Sequence, residues 1–368
     1  MRNPGFDNSN AESGDGPETP KTPLVSVVML AYNHGDYIAQ AIESVLAQEV
    51  SFSMELLIGE DCSSDRTREV VLDFQRLYPG IIRLITDSVN VGMHANHVRL
   101  LNACRGEYIA YCEGDDCWTD VHKLARQVGY LQLHPEAGAV HSNYLRLIHI
   151  GGAWRARVAF RSSGLLQHRD GQIYEAMLQA NRMQTCTVIC RRDLVEQFLR
   201  SGLADRGYLV EDWPLCLYLA RASKIGFINE PLAAYRRTPG SMMNLGDAAH
   251  VRYCLDAIRM VEEFCDFFQE DPGIREASLA AQYRVLLWLA LRANDRHCFD
   301  RAWSWLEQNA PERLHPVRVR FMRLLHSSPW LRRWTLRLLA AIEHVKPVSY
   351  THLRAHETVL EIVCRLLL

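Results

Sequence analysis

Apolar and polar positions follow a fixed rhythm through the first 120 residues. A short β-branched run meets a polar break, and an amphipathic stretch follows. "LVSVVMLAYN" (24–33) is apolar on successive positions and predicts a strand buried on both faces, ending at Asn33. "GDYIAQAIESVLAQE" then places Ile38, Ala41, Ile42, Val45 and Leu46 at helical spacing. "MELLIGEDCSSDRT" is a second apolar run that ends in acids, with Ser63, Ser64 and Asp65 as caps for the helix "REVVLDFQRLY". "GIIRLITD" predicts a third strand, "HANHVRLLNAC" a helix, and "EYIAYCEGDD" a fourth strand. Beyond residue 150 the pattern is less regular. "GQIYEAMLQANRMQTCTVICRRDLVEQF" predicts helix, strand and helix, "EDWPLCLYLARAS" a helix, and "KIGFINEPLAAYRR" a strand or hairpin before a Gly-containing loop. From about 247 to 342 the spacing is helical throughout.

Strands alternating with helices predict an α/β fold, a Rossmann-like, doubly wound and mostly parallel sheet, here with a C-terminal helical extension. In such sheets ligands sit beyond the carboxyl ends of the strands. Tyr32, Asn33, Glu60, Asp61, Asn90, Glu113, Asp115 and Asp116 all fall at predicted strand ends, so they are expected to converge on one crevice. The divisions expected are a disordered polar tail over 1–22, a catalytic domain over 23–245 and a helical region over 246–347.

Composition narrows the partners. A 368-residue chain with 48% hydrophobic content holds one large domain with an appendage, or two ordinary ones. A net charge of -2 leaves no overall footprint for nucleic acid. Eleven scattered cysteines without a CxxC pair suggest a reducing, cytoplasmic setting. The chain shows neither a signal-type apolar segment nor a membrane-spanning run. One local anomaly stands out: seven arginines and no acid between Arg313 and Arg337, interleaved with Phe321, Trp330 and Trp334. Residues 313–342 are therefore either a helix packed on the domain with solvated arginines, or a peripheral contact with the inner face of the cell membrane.

Three carboxylates at one strand end, Glu113, Asp115 and Asp116, either solvate a loop or hold a cation. Hard divalent ions take clustered carboxylate oxygens, and an anionic diphosphate enters such a crevice only with Mg2+ or Mn2+ between. If that diphosphate carries a sugar, its departure leaves positive charge at the anomeric carbon, open to a hydroxyl from the opposite face. Glu211 and Asp212, on a separate element, are the candidates for the base that this hydroxyl needs. Attack from the far face inverts the anomeric centre. His34, His94, His97 and His141 are expected to be hydrogen-bonded structure rather than ligands. Trp118 either lines an acceptor pocket or packs in the core.

"VSVVMLAYN", "IGEDCSSDRT", "NVGMHAN", "GEYIAYCEGDD", "YLVEDWPL" and "YRRTPGSMM" occur in the order and spacing of bacterial family 2 glycosyltransferases with the GT-A fold, which this chain resembles over about 24–245. The resemblance implies nucleotide contacts at Ala31, Tyr32 and Asn33, base and ribose contacts at Glu60 and Asp61, and Asn90 on the same side. It implies a metal site on Glu113 and Asp115, with Asp115 the direct ligand and Glu113 standing where Asp is commoner. Asp116 would adjoin the sugar, Asp212 would be the base with Glu211 beside it, and Arg236, Arg237 and Ser241 would close over the diphosphate. The activity implied is metal-dependent, inverting transfer from a UDP-sugar to a glycan or lipid-linked acceptor in surface-polysaccharide synthesis. Two alternatives remain: a non-catalytic nucleotide-sugar-binding protein on the same scaffold, and a sugar nucleotidyltransferase, although "AYNHGDYIAQ" stands where the latter's Gly-rich phosphate loop belongs. "VSYTHLRAHET" and "VCRLLL", within 348–368, resemble a translated sequencing adapter, so that segment is expected to be non-native read-through.

Overall fold

The computed structural model describes residues 22–150, 152–160, 169–210, 212–238, 246–314, 317–328, 330–333 and 335. Glu211, Ser241, Trp334, residues 1–21 of the polar tail and the adapter-like segment lie outside the described residues.

Four strands arise where the apolar runs predict them: β1 (Val25–Ala31), β2 (Met54–Glu60), β3 (Ile82–Thr86) and β4 (Tyr108–Tyr111). They are parallel, and their order in the sheet is β3-β2-β1-β4. Alternate residues of β1 serve opposite faces. Val27 and Met29 enter one core with α1 (Ile38–Leu46), α2 (Thr67–Leu77) and α4 (Lys123–Leu133), while Val28 enters the other with α3 (Met93–Ala103). Burial on both faces is why these runs read as uninterrupted apolar stretches. The register aligns Ala31, Glu60 and Thr86 across three adjacent strands, so their following loops start level.

The second half departs from the predicted pattern. Residues 137–150, for which no element was predicted, form β6 (Ala137–Ile150), residues in the less regular part beyond 150 form β7 (Ala153–Val158), and the expected strand β9 (Lys224–Arg237) runs beside β6. The short β8 (Ile189–Arg191) joins the halves, antiparallel to both β4 and β6, and β5 (Cys117–Trp118) pairs antiparallel with β9. The order β3-β2-β1-β4-β8-β6-β9-β5, with β7 on β6, is thus mostly parallel but mixed in its second half.

Helices α5 (Tyr174–Gln179), α6 (Arg192–Arg200) and α7 (Asp212–Ala222) cover one face. The expected helical region follows as α8 (Asp247–Phe268), α9 (Pro272–Ala293), α10 (Arg296–Asn309) and α11 (Val317–Ser327). Asp271 caps α9 by accepting from Gly273 N at 2.8 Å, with Pro272 at the first helical position, and Asp295 caps α10 through Cys298 N at 2.9 Å. These helices do not form a core of their own. Ile258, Val261, Leu286 and Phe299 belong to the same apolar cluster as Leu217 and Ile109. Gln282 Nε2 donates to the carbonyls of Leu178 (2.9 Å) and Gln179 (3.0 Å), tying α9 to α5. No helix among the described residues is long and apolar enough to cross a membrane.

Candidate active site

The loops after β1, β2 and β3 interlock at the strand ends. Asn33 takes a left-handed backbone with φ 56°, a conformation asparagine tolerates better than most residues. Its N–H donates to Ser63 Oγ at 3.0 Å, and its Oδ1 accepts from Ser64 N at 2.9 Å. Glu60 is fully buried. Burial pushes its pKa up, but hydrogen bonds from Ser63, Arg68 and Thr86 outweigh that and hold it below the ordinary value. Asp61 accepts from the N–H groups of Val91 (2.8 Å) and Gly92 (2.9 Å), and Asn90 Nδ2 donates to the Asp61 carbonyl at 2.8 Å. Glu60 and Asp61 thus shape the loops around them. Tyr32, exposed, stands at the crevice mouth, whereas Ala31 is buried at the strand end.

The acid loop after β4 runs beside the last residues of β1. Cys112 N donates to Val28 O at 3.1 Å and Gly114 N to Leu30 O at 2.9 Å. A Cβ on Gly114 would stand 2.8 Å from His34 Nδ1 and 3.2 Å from Leu30 O, so the position between Glu113 and Asp115 admits only glycine without displacement. Asp115 Oδ2 accepts from Thr238 Oγ1 at 3.3 Å and lies 4.0 Å from His34 Nε2. Asp116, expected beside the sugar, is only 2% exposed and accepts from Arg236 N at 2.8 Å. Arg236 also donates to the Asp115 carbonyl and to Gln40 Oε1, so its guanidinium pins the acid loop to β9 and α1. Arg237 follows it on β9.

Glu113, Asp116 and Cys186 each bring one ligand-type atom within 4.8 Å of the others. Burial drives Glu113 up to about 8, with the charges of Asp115 and Asp212 adding to the effect, and its Oε2 is buried without a partner. Burial, then Asp115 and Glu113, push Asp116 well above the carboxylate range. The Cys186 thiol is pushed up as well, chiefly by burial, and serves as an S–H donor to Asp116. An orphaned carboxylate oxygen among like charges fits a divalent cation, since the cation replaces the lost hydration and cancels the repulsion. Of the pair expected from the sequence, Glu113 and Asp115, only Glu113 belongs to this cluster among the described residues, and Asp116 and Cys186 complete it in place of Asp115.

Asp212 opens α7 and approaches closely enough for its charge to act on Glu113. Its Oδ2 accepts from Thr185 Oγ1 at 2.6 Å, with Asn181 Nδ2 at 3.5 Å. Burial raises its pKa against these hydrogen bonds, which makes it a stronger base than an exposed aspartate. Thr185, Asn181 and Thr238 carry no recognisable sequence signal, because hydroxyls and amides become site residues only through their neighbours. Lys123 was also missed: its fully buried Nζ donates to Gln127 Oε1 at 2.7 Å and lies 4.3 Å from the Trp118 ring centroid, and burial lowers its pKa to about 8. Trp118 is itself buried, donating Nε1 to the carbonyls of Tyr111 and Cys186, so it packs rather than lining a pocket. His141 is buried with Nε2 2.8 Å from the Arg169 carbonyl, whereas His97 packs edge to face on Tyr111 and its buried Nε2 has no hydrogen-bond partner, so the expectation of hydrogen-bonded structure does not hold for His97.

Residues 26–198 match the family model described as glycosyl transferase family 2. This part of the chain belongs to glycosyltransferase family 2. Among relatives, the Mycobacterium tuberculosis protein Rv1520 is 35% identical over 213 residues, 58% of this chain and 58% of that protein. The chain thus spans little more than half the length of such relatives. The UDP-Glc:alpha-D-GlcNAc-diphosphoundecaprenol beta-1,3-glucosyltransferase WfgD of Escherichia coli is 34% identical over 121 residues, 33% of this chain and 46% of that protein. The S. aureus TarS 1-349 structure superposes with a TM-score of 0.54 at 14% identity, covering 89% of this chain and 92% of that chain. The shared architecture is the GT-A fold.

Proposed function

We propose that the protein transfers a sugar from a nucleoside diphosphate donor, a UDP-sugar, to an acceptor hydroxyl with inversion and with a divalent cation, Mn2+ or Mg2+, in surface-polysaccharide synthesis. The observation that carries this reading is the pairing of two acid sets. Glu113, Asp115 and Asp116 crowd one loop at an electrostatic cost, and Asp212 faces them from a separate helix with a raised pKa.

The interlocked loops at Tyr32, Asn33, Asp61 and Asn90 receive the nucleoside. Glu113, Asp115 and Asp116 would hold the cation, which supplies charge neutralisation for the departing diphosphate. Asp212 accepts the proton of the acceptor hydroxyl at Oδ2 or Oδ1, while Thr185 and Asn181 orient it. Arg236 acts as a positioning residue for the acid loop. Arg237 and Ser241 would contact the diphosphate, as the resemblance implies, since arginine's planar fork suits phosphate oxygens, and Glu211 would stand next to the base in sequence. WfgD acts, by its name, from UDP-glucose onto a lipid-linked diphosphate sugar, which supports a UDP-sugar donor and a glycan or lipid-linked acceptor here.

A peripheral site at the inner face of the cell membrane accords with such an acceptor. Arg320, Arg323 and Leu324 are exposed on one face of α11 while Val319 and Leu325 are buried, and Trp330 beyond it is 75% exposed. Charge reversal of Arg320 and Arg323 should abolish sedimentation with anionic liposomes, and unchanged sedimentation would leave the helix purely structural.

The direct test is a donor screen, following UDP or GDP release from nucleotide sugars with and without Mn2+. Cation-dependent release from one UDP-sugar is expected. Binding of UDP with Mn2+ without any release or transfer would instead favour a non-catalytic binding protein.

A further inference from the structure

The long strands of the second half carry an aromatic surface that the proposed chemistry does not use. β6 pairs with β7 so that Leu147 stands opposite Ala156 and His149 opposite Trp154, and pairs with β9 so that Leu147 stands opposite Arg236. Partners across a ladder share a face, and successive residues alternate faces. Trp154 and His149 therefore lie on the face from which Arg236 reaches Gln40 and the Asp115 carbonyl.

The side chains agree with the register. Trp154 meets Tyr37 edge to face, with centroids 6.3 Å apart and planes at 85°, and meets His149 at 5.3 Å and 66°. Arg236 Cζ lies 5.0 Å from the Tyr37 ring centroid and 5.7 Å from that of Trp154. Trp154 is nonetheless 39% exposed, although such a ring buries readily when its only task is packing. Tyr37 and Arg236, distant in sequence, and His149 across the hairpin thus hold an indole in place beside the residue that pins the acid loop and leave part of it open.

We propose that Trp154, backed by Tyr37 and flanked by His149, is the subsite for a pyranose ring of the acceptor. A pyranose presents apolar C–H groups on its faces and hydroxyls at its edge, which matches a rigid aromatic face with polar neighbours. The word acceptor rests on the transferase reading above and on topology. The nucleotide loops follow β1, β2 and β3 at one side of the sheet, and the β6–β7 hairpin leaves from the other, with the acids between them.

The test titrates the full chain with methyl pyranosides of glucose, galactose, mannose and N-acetylglucosamine by saturation-transfer NMR. At least one should bind the wild type saturably. Its dissociation constant should rise about tenfold or more in Trp154→Ala and stay within about threefold in Trp154→Phe, the scale of one aromatic contact. Absence of saturable binding to the wild type, or equal binding by Trp154→Ala, overturns the subsite. UDP affinity with Mn2+, measured on the same samples, should match between wild type and Trp154→Ala, and its loss in that variant would overturn the acceptor assignment. A wild type that binds a pyranoside through Trp154 but never binds UDP supports the ring subsite while sinking the transferase reading.

Discussion

The two acid sets along one sheet edge differ in what they spend their charge on. Glu60 and Asp61, after β2, have their oxygens taken up by Ser63, Arg68, Thr86 and the N–H groups of Val91 and Gly92. Glu113, Asp116 and Asp212, after β4 and at the start of α7, sit where burial raises their pKa, and one oxygen of Glu113 has no partner. The first set stabilises the fold with its charge satisfied. The second holds charge that the fold alone does not compensate, which is the signature expected of groups waiting for a cation or a proton.

That contrast is open to attack by substitution. Asp212→Asn should lower turnover by about a hundredfold to ten-thousandfold, the range for loss of a general base, while UDP binding persists. Coupled detection of UDP release reads this, and retained turnover would move the base elsewhere. Asp115→Asn should weaken Mn2+-dependent UDP binding by about a hundredfold, and unchanged affinity in calorimetry would count against the acid loop as the cation site. The pH dependence of that affinity separates the sets more finely. Glu113 carries a proton below about pH 8, and cation binding must displace it. Affinity should therefore climb by up to about tenfold per pH unit toward 8 and level off above. A flat profile would mean that Glu113 does not contribute.

Glu60→Gln should act in the opposite sense, costing about 1–3 kcal/mol of stability with the cation dependence unaltered. The sign follows from its lowered pKa. The contribution is complete above the unfolded carboxylate pKa and disappears as pH falls through the folded one, so the Tm gap to wild type should narrow in acid.

The first four strands and their helices were legible because both faces of β1 and β2 are buried, leaving uninterrupted apolar runs that end at polar residues. The positions of Glu60, Asp61, Glu113 and Asp115 were legible for the same reason. Their division of labour was not, since it depends on Arg68, Thr86, Arg236 and Thr238 arriving from other elements. β6 and β7 escaped because "LRLIHIGGAWRARV" is largely exposed and mixes arginines with apolar residues, and because the β6–β9 register slips near Ser142–Tyr144. Lys123 reads as the solvated start of a helix, and only its packing beneath Trp118 makes it an interior charge.

The shared core of sheet and helices bears on how the gene can be shortened. A stop codon placed near residue 245, where the strand pattern gives way to helices, looks like a domain border but would remove Gln282 from the Leu178 and Gln179 carbonyls. It would also take Asp256 from Leu209 N and Glu263 from Tyr208, the segment that leads into Asp212. A fragment that keeps these contacts therefore extends through α9, and recombinant versions ending earlier should be recovered as insoluble material.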